Sequence, residues 1–184
     1  IDQPERELNE KHFWIYAAGE GSRKWEEFYS QGIMGIGWDD LGDLSRYPDR
    51  ESIRTRMKKV YDETKSHRNN SLATWQFAHV IQKGDIIFVK KGMHEIIGRG
   101  VVESDYIFSS ERDEYKHIRK VKWTHSGSWS HPGQAVMKTL TDRKIAEEQK
   151  VTYETQKKAQ ETRQGMEKET AIADMQKDIV KAQQ

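Results

Sequence analysis

Gly32-Ile33-Met34-Gly35-Ile36-Gly37-Trp38-Asp39-Asp40-Leu41-Gly42-Asp43 drives a short apolar strand into a tryptophan, an acidic pair and further glycine. The four glycines among these twelve residues let backbone approach closely with no Cβ to clash. Trp38 offers a face for stacking, and Asp39 or Asp40 an acceptor for an exocyclic amine. A large aromatic at a strand end, beside polar groups and permissive backbone, is what a pocket for a flat ligand needs. An isolated tryptophan is more often a core residue. With six tryptophans in the chain, some must stand elsewhere.

Working outward, His12 to Ala17 reads as a first strand, and Gly19-Glu20-Gly21 as a turn. Ser22 is expected to cap a helix that runs through Trp25-Glu26-Glu27-Phe28-Tyr29, carries its acids in the first turns, and stops at Gly32. Ile33 to Trp38 forms the second strand. Asp49 to Lys65 and Asn70 to Gln82 read as two helices, the first exposing many basic groups. Lys83-Gly84-Asp85 turns into the buried strand Ile86 to Val89, and Lys90-Lys91-Gly92 is the expected hairpin turn into Ile96 to Glu103. Glycines inside that last strand imply strong bending. His117 to Thr124 alternates apolar and basic residues, as a strand with one face on the core does. The expected class is α+β: a small curved or closed β-sheet with helices inserted between its early strands.

Composition divides the chain. Up to about Leu140 aromatics, glycines and β-rich runs mix; beyond it there is no Trp, Phe or Pro and one glycine, Gly165. Residues 143–184 carry nine basic and eight acidic side chains amid Ala, Gln and Thr, the signature of one long polar helix. Its apolar positions, among them Ile145, Val151, Tyr153, Met166, Ile172, Met175, Ile179 and Val180, keep no strict heptad. The expected organisation is an extension over 1–10, a folded domain over 11–141 and a helical tail over 142–184 through which the chain self-associates or meets a partner helix.

With 184 residues, 33% of them charged, and a mean hydropathy of −0.99, the chain holds one sizeable core and much solvated surface. A formal charge of +1 gives no global pull toward polyanions, so any such partner must meet a local basic patch. Without cysteine there is neither disulfide framework nor thiolate metal site. No apolar run approaches the ~20 residues of a membrane span, and Ile1-Asp2-Gln3-Pro4 lacks signal-peptide character. The expectation is a cytoplasmic protein, and a start without Met suits a fragment or a processed chain.

No P-loop, dinucleotide-binding glycine pattern, H-E-x-x-H or G-x-S-x-G occurs. His117, His125 and His131 lack ligand spacing on one element, and Asp85, Glu95, Lys90 and Lys91 do not form a convincing nuclease set. Neither catalytic group, metal nor cofactor is therefore expected. What remains is an inventory for binding a base and its phosphates. Trp14, Trp25, Trp38, Tyr106, Phe108, Trp123 and Trp129 fall at strand ends or in loops, with Trp14 and Trp75 assigned to the core. Lys90, Lys91, Arg99, Arg119, Lys120 and Lys122 would track a phosphate backbone.

The order of motifs resembles the EVE domains of the PUA superfamily, and within them the N-terminal specificity domains of McrB-like modification-dependent restriction proteins. The resemblance is carried by Trp14-Ile15-Tyr16-Ala17-Ala18-Gly19-Glu20, Lys24-Trp25-Glu26-Glu27-Phe28, Gly35 to Leu44, Trp75-Gln76-Phe77, Lys83-Gly84-Asp85-Ile86-Ile87, Ile97 to Val102 and Val121-Lys122-Trp123. EVE domains are similar in fold to YTH domains, so the resemblance implies a PUA-like curved β-barrel whose open end draws a modified base of DNA or RNA into an aromatic cage. It implies Trp38 as one wall and Tyr106 or Phe108 as a second. Ala17 and Ala18 stand where some relatives carry a polar base-contacting residue, which shifts recognition to the backbone of Gly19 to Ser22 and to Asp39. The implied pocket is thus Trp38, Asp39, Tyr106, Phe108, Trp25, Ser22 and Ala18. The tail, Ala146 to Glu161, resembles the coiled-coil region after the SPFH domain of flotillin-like proteins. The expected function is a non-catalytic reader of N6-methyladenine or a modified cytosine in a defence or restriction system. The alternative is a coiled-coil scaffold whose barrel binds a protein or an unmodified planar ligand.

Overall fold

In the computed structural model, which describes residues 12–131 and 138–182, strand β1 (Phe13–Tyr16) buries three of its four side chains. Helix α1 (Trp25–Gln31) follows and ends at Gly32, whose φ of 64° makes the left-handed stop that glycine adopts without a Cβ penalty. Strand β2 (Ile33–Ile36) is buried at all four positions. Helices α2 (Arg50–Val60) and α3 (Arg68–Trp75) come next, and α3 runs on into a π-helical turn over Gln76–Val80. Strands β3 (Ile86–Lys91), β4 (Glu95–Val102), β5 (Ile107–Phe108), β6 (His117–Ser130) and β7 (Leu140–Asp142) complete the sheet, and α4 (Arg143–Ala182) ends the chain's helices. The class is α+β.

The strands lie in the order β2-β6-β4-β3-β1-β7, with the short β5 also on β6. All neighbours are antiparallel except β1 and β3. Register slips at Val89/Lys90, Ile96/Gly98 and Arg99/Gly100 curl this mixed sheet into a half-barrel. Gly98 and Gly100 permit the curl: a Cβ on Gly98 would fall 2.3 Å from Trp25, and one on Gly100 2.5 Å from Trp123. Two aromatic rings therefore occupy the room that side chains would take. Across the mouth of the curl, the Tyr16 hydroxyl of β1 donates to Gly35 O of β2 at 2.5 Å and accepts from Gly35 N at 3.0 Å. One side chain thus joins strands that the ladder order keeps apart, and its complete burial raises its pKa far above the usual tyrosine value.

The core is lined by Trp14, Phe28, Met34, Ile36, Ile53, Met57, Phe77, Ile87 and Val89, all nearly inaccessible. Trp14 belongs to it as expected, and its Nε1 donates to Asp85 at 2.9 Å. That buried carboxylate also accepts from the amides of His12 and Gln82, so it ties β1 to the turn before β3.

Several local readings need correction. Ser22 does not cap α1: its hydroxyl donates to Lys90 O, and the residue before the helix, Lys24, offers no side-chain cap. Asp49 caps α2 by accepting from Ser52 N at 2.7 Å, and the helix ends at Val60 rather than Lys65. The second helix starts at Arg68 and turns π-helical after Trp75. Lys90 and Lys91 are strand residues, and the hairpin turn is Gly92 to His94. β6 runs to Ser130, six residues beyond Thr124. β7 was not anticipated; three residues, too few to show an alternation, pair it with β1.

The chain divides into a unit ending at Arg143 and one beginning at Lys144. The second is the 40-residue helix α4, along which Met166, Ile172 and Met175 are exposed and Arg163 pairs with Glu167 one turn on. Ile145, Val151, Tyr153, Ile179 and Val180 have side chains outside the described residues, as does the extension 1–10. Among the described residues, no helix is long and apolar enough to cross a membrane.

Candidate functional site

β1, β2 and the β3–β4 turn all end at one place, and a pocket of about 460 Å³ opens there. Gly35 to Trp38 of β2 and its extension form one side; Ala17 and Gly19 to Ser22, which follow β1, form another. Lys90, Gly92 and Met93 close it from the hairpin, Lys138 and Thr139 from the approach to β7, and Tyr115 from the loop before β6. Its size is in the range of ligand-binding clefts.

Two aromatic side chains face this space from opposite segments. Trp38 is half-buried and has a left-handed backbone, φ 68°. Tyr115 is also half-buried with φ 53°, and its ring meets Phe28 edge-on at 5.6 Å. Ser22, a third lining residue, has φ 57°. Among the described residues only one other non-glycine residue, His67, has positive φ. Each such conformation costs ~1–2 kcal/mol for an L-residue. Its concentration around one pocket means that the surrounding contacts hold these side chains where relaxed backbone would not.

Those contacts are specific. The Asp39 carboxylate accepts from the amides of Tyr115 at 3.0 Å and Lys116 at 2.8 Å, which brackets one aromatic wall to the residue after the other. Behind Trp38, the Leu44 amide donates to the Tyr106 hydroxyl at 3.0 Å, and that hydroxyl donates to His117 Nδ1 at 2.7 Å. His117 Nε2 then donates to Trp38 O at 3.1 Å. This chain of donors selects the Nε2–H neutral tautomer. Burial agrees, since it holds the His117 pKa below the usual histidine value and pushes the Tyr106 phenol well above its own. The Tyr115 loop is further fastened to α1. Arg112 reaches Glu27 and Gln31, each at 2.8 Å, Lys24 pairs with Glu27 at 2.9 Å and also with Glu114, and Lys24 lies 5.6 Å from the Tyr115 ring centre. The Lys24 ammonium, with Arg112, holds the Glu27 carboxyl below the usual carboxylate range.

Of the expected pocket residues, Trp38 and Ser22 line the space, and Asp39 stands beside it as the bracket rather than as a lining group. The other four stand elsewhere. Trp25 is buried against Trp123, ring centres 4.7 Å apart, and Ala18 is fully buried. Tyr106 spends its hydroxyl on Leu44 and His117, and Phe108 packs on His117 at 5.4 Å. The expected phosphate contacts separate as well. Arg119 is buried, donates to the carbonyls of Phe77, Ala78 and Ser104, and has its pKa lowered to about 10 by that burial. Lys90 is buried in the pocket wall. Lys91, Lys120 and Lys122 are exposed on strands, and Arg99 donates to Thr124 at 3.0 Å.

Tyr115, Met93, Lys138 and Thr139 complete a site that sequence reasoning assembled without them. Tyr115 had one available signal, its place just before the strand at His117, matching Trp38 just after Ile36 across the pairing Ile36↔His117. Residues 14–148 match a family model described as Domain of unknown function (DUF8426). No curated protein matches the chain.

Proposed function

The chain belongs to the DUF8426 family, and we propose that it is a non-catalytic reader that takes a flipped, modified nucleobase, N6-methyladenine or a modified cytosine, between Trp38 and Tyr115. One observation carries this reading: two aromatic residues on strained backbone, bracketed together by Asp39, flank a pocket at the open end of a curled sheet. Paired aromatic faces suit a flat heterocycle, and base stacking contributes ~1–3 kcal/mol per base. A methyl group filling apolar space adds only about 0.8 kcal/mol, so discrimination must also come from shape. The glycines at 19, 21 and 37 bring backbone polar groups to the rim, where a base edge would meet them. On this reading the half-barrel is PUA-like, the setting cytoplasmic, and the module the recognition part of a modification-dependent defence system. The exposed Met166, Ile172 and Met175 of α4 favour, as a second role, assembly through the tail.

The test is a titration at one fixed salt concentration with matched DNA and RNA strands differing in a single modified base, following tryptophan fluorescence and anisotropy. Tighter binding with quenching for a modified strand is expected. Trp38→Ala should lose ~1–3 kcal/mol of that binding. Gly37→Leu should lose it too while keeping the fold, because a Cβ at Gly37 meets nothing within 4 Å and the side chain extends into open space. Wild-type preference in both variants, or no preference in the parent protein for any of the strands, would sink the assignment.

A further inference from the structure

A base in the pocket requires a path for its sugar-phosphate strand, and the sheet supplies a thin one: Lys90 and Arg119 are buried and Arg99 is held by Thr124, which leaves Lys91, Lys120 and Lys122 exposed on its strands. The charge lies elsewhere. Between Arg46 and Arg68 the chain carries eight basic and four acidic residues, in a protein of formal charge +1. α2 concentrates them, turning Ile53 and Met57 inward and placing Arg50, Arg54, Arg56, Lys58 and Lys59 on its remaining faces with Glu51 as its one carboxylate.

Two of the arginines are set by main-chain carbonyls. Arg50 donates to Arg68 O at 2.8 Å, and Arg54 to Ser66 O at 2.7 Å. Both bonds end on the segment that opens α3, which brings Arg50 and Arg54 beside Arg68, and the charges of Arg68 and Arg54, after burial, lower the Arg50 pKa. Such pre-set forks suit phosphate oxygens. α2 also adjoins the pocket: it packs on the turn Asp39–Leu41 that Trp38 begins, and the Tyr61 hydroxyl just past its end lies against Asp40.

We infer that α2, with the Arg50, Arg54 and Arg68 cluster at its start, is a phosphate-binding surface for the nucleic-acid strand whose base enters the pocket. The inference rests on the base-reader reading. An anionic membrane fits the same charge less well, because Ile53 and Met57 of α2 are turned into the core and the half-buried Val60 alone makes no apolar face to enter a bilayer. The helix is ~16 Å long at 1.5 Å per residue, the axial rise of about five phosphates on one strand.

The experiment titrates the full chain with an unmodified duplex and its modified counterpart between about 50 and 200 mM salt. Arg56→Gln/Lys58→Gln/Lys59→Gln changes side chains that do not fill the core, and its thermal midpoint should stay at the parent's. Its slope of log affinity against log salt should fall by about 2 to 3, near 0.9 for each phosphate no longer neutralised, while the ratio of modified to unmodified binding is kept. Lys120→Gln/Lys122→Gln on the sheet should leave the slope as it was. An unchanged slope in the α2 variant, or an equal loss in the sheet variant, overturns the surface. A kept modified-base preference with that unchanged slope leaves the pocket reading standing alone. A reduced slope with no preference in the parent protein upholds the phosphate surface and fails the pocket. Capture by anionic vesicles with no duplex binding overturns nucleic acid as the partner.

Discussion

Gly98→Ala tests whether Trp25 is part of the architecture or part of the site. The new methyl would lie 2.3 Å from Trp25 Cζ2 and 2.4 Å from Cη2, whereas ordinary contact begins near 3.4 Å. Strand or indole must therefore retreat by about 1 Å, and the indole has nowhere to go. Its ring meets Trp123 edge-on at 4.7 Å and Tyr29 at 5.3 Å, and it is only 8% exposed. Trp123 in turn donates from Nε1 to Phe28 O and Ile33 O, at 3.2 and 3.1 Å, so pushing it loosens α1 from β2. Overpacking of this kind costs ~1–3 kcal/mol, and the rigidity of the neighbours puts this site at the upper end. In a Trp25→Leu background the same methyl meets a shorter, flexible side chain and should cost under about 1 kcal/mol. Urea unfolding of the four proteins, read as a double-mutant cycle at constant m, should therefore give a coupling of about 2 kcal/mol. Additivity within about 0.5 kcal/mol would refute the steric account. Base binding by folded Trp25→Leu should match the parent.

Asp39→Ala removes the acceptor of two amides from a half-exposed carboxylate. At ~1.5 kcal/mol for each bond, the low end for a charged acceptor, the Tyr115 and Lys116 amides should exchange hydrogen about a hundredfold faster; unchanged protection would show that the bracket holds nothing. His117 sets a pH dependence: its folded pKa lies below the 6.5 of the free side chain, so as pH falls through 6.5 the unfolded chain takes up a proton that the folded one refuses. Stability by urea unfolding should decline from pH 7 toward the lower folded value, and His117→Gln, less stable at neutral pH, should show a shallower decline. An equal decline in that variant would remove His117 as the cause.

Features written in neighbouring residues were legible in the sequence. The run into Trp38, the glycine stop at Gly32 and the buried strands could be read because their causes lie within a few residues. The pocket's second wall could not. Tyr115 gains its role from a carboxylate 76 positions away and from ion pairs to α1, and nothing in the loop itself announces either. Alternation on β6 placed Arg119 on a face, but not on the buried one: a guanidinium goes inside only where carbonyls wait, and those of Phe77 and Ala78 are freed where α3 loosens into its π-helical turn. Tyr106 and Phe108 were misplaced for a related reason. Their loop follows β4, but β5 pins it to β6 beside His117, behind Trp38 rather than across from it.

The ladder order also fixes when each strand can find its neighbour during synthesis. β1 and β2 are made well before their partners: Phe13 must await Ile86, and Ile33 must await Lys120. At ~5–20 residues per second, the second interval is on the order of ten seconds. For that time Ile33-Met34-Gly35-Ile36, buried at every position in the finished fold, has no strand to cover it. The nascent chain thus carries a segment made for the interior with no strand beside it through that interval, and a chaperone that holds it during synthesis would serve it better than one that acts after release.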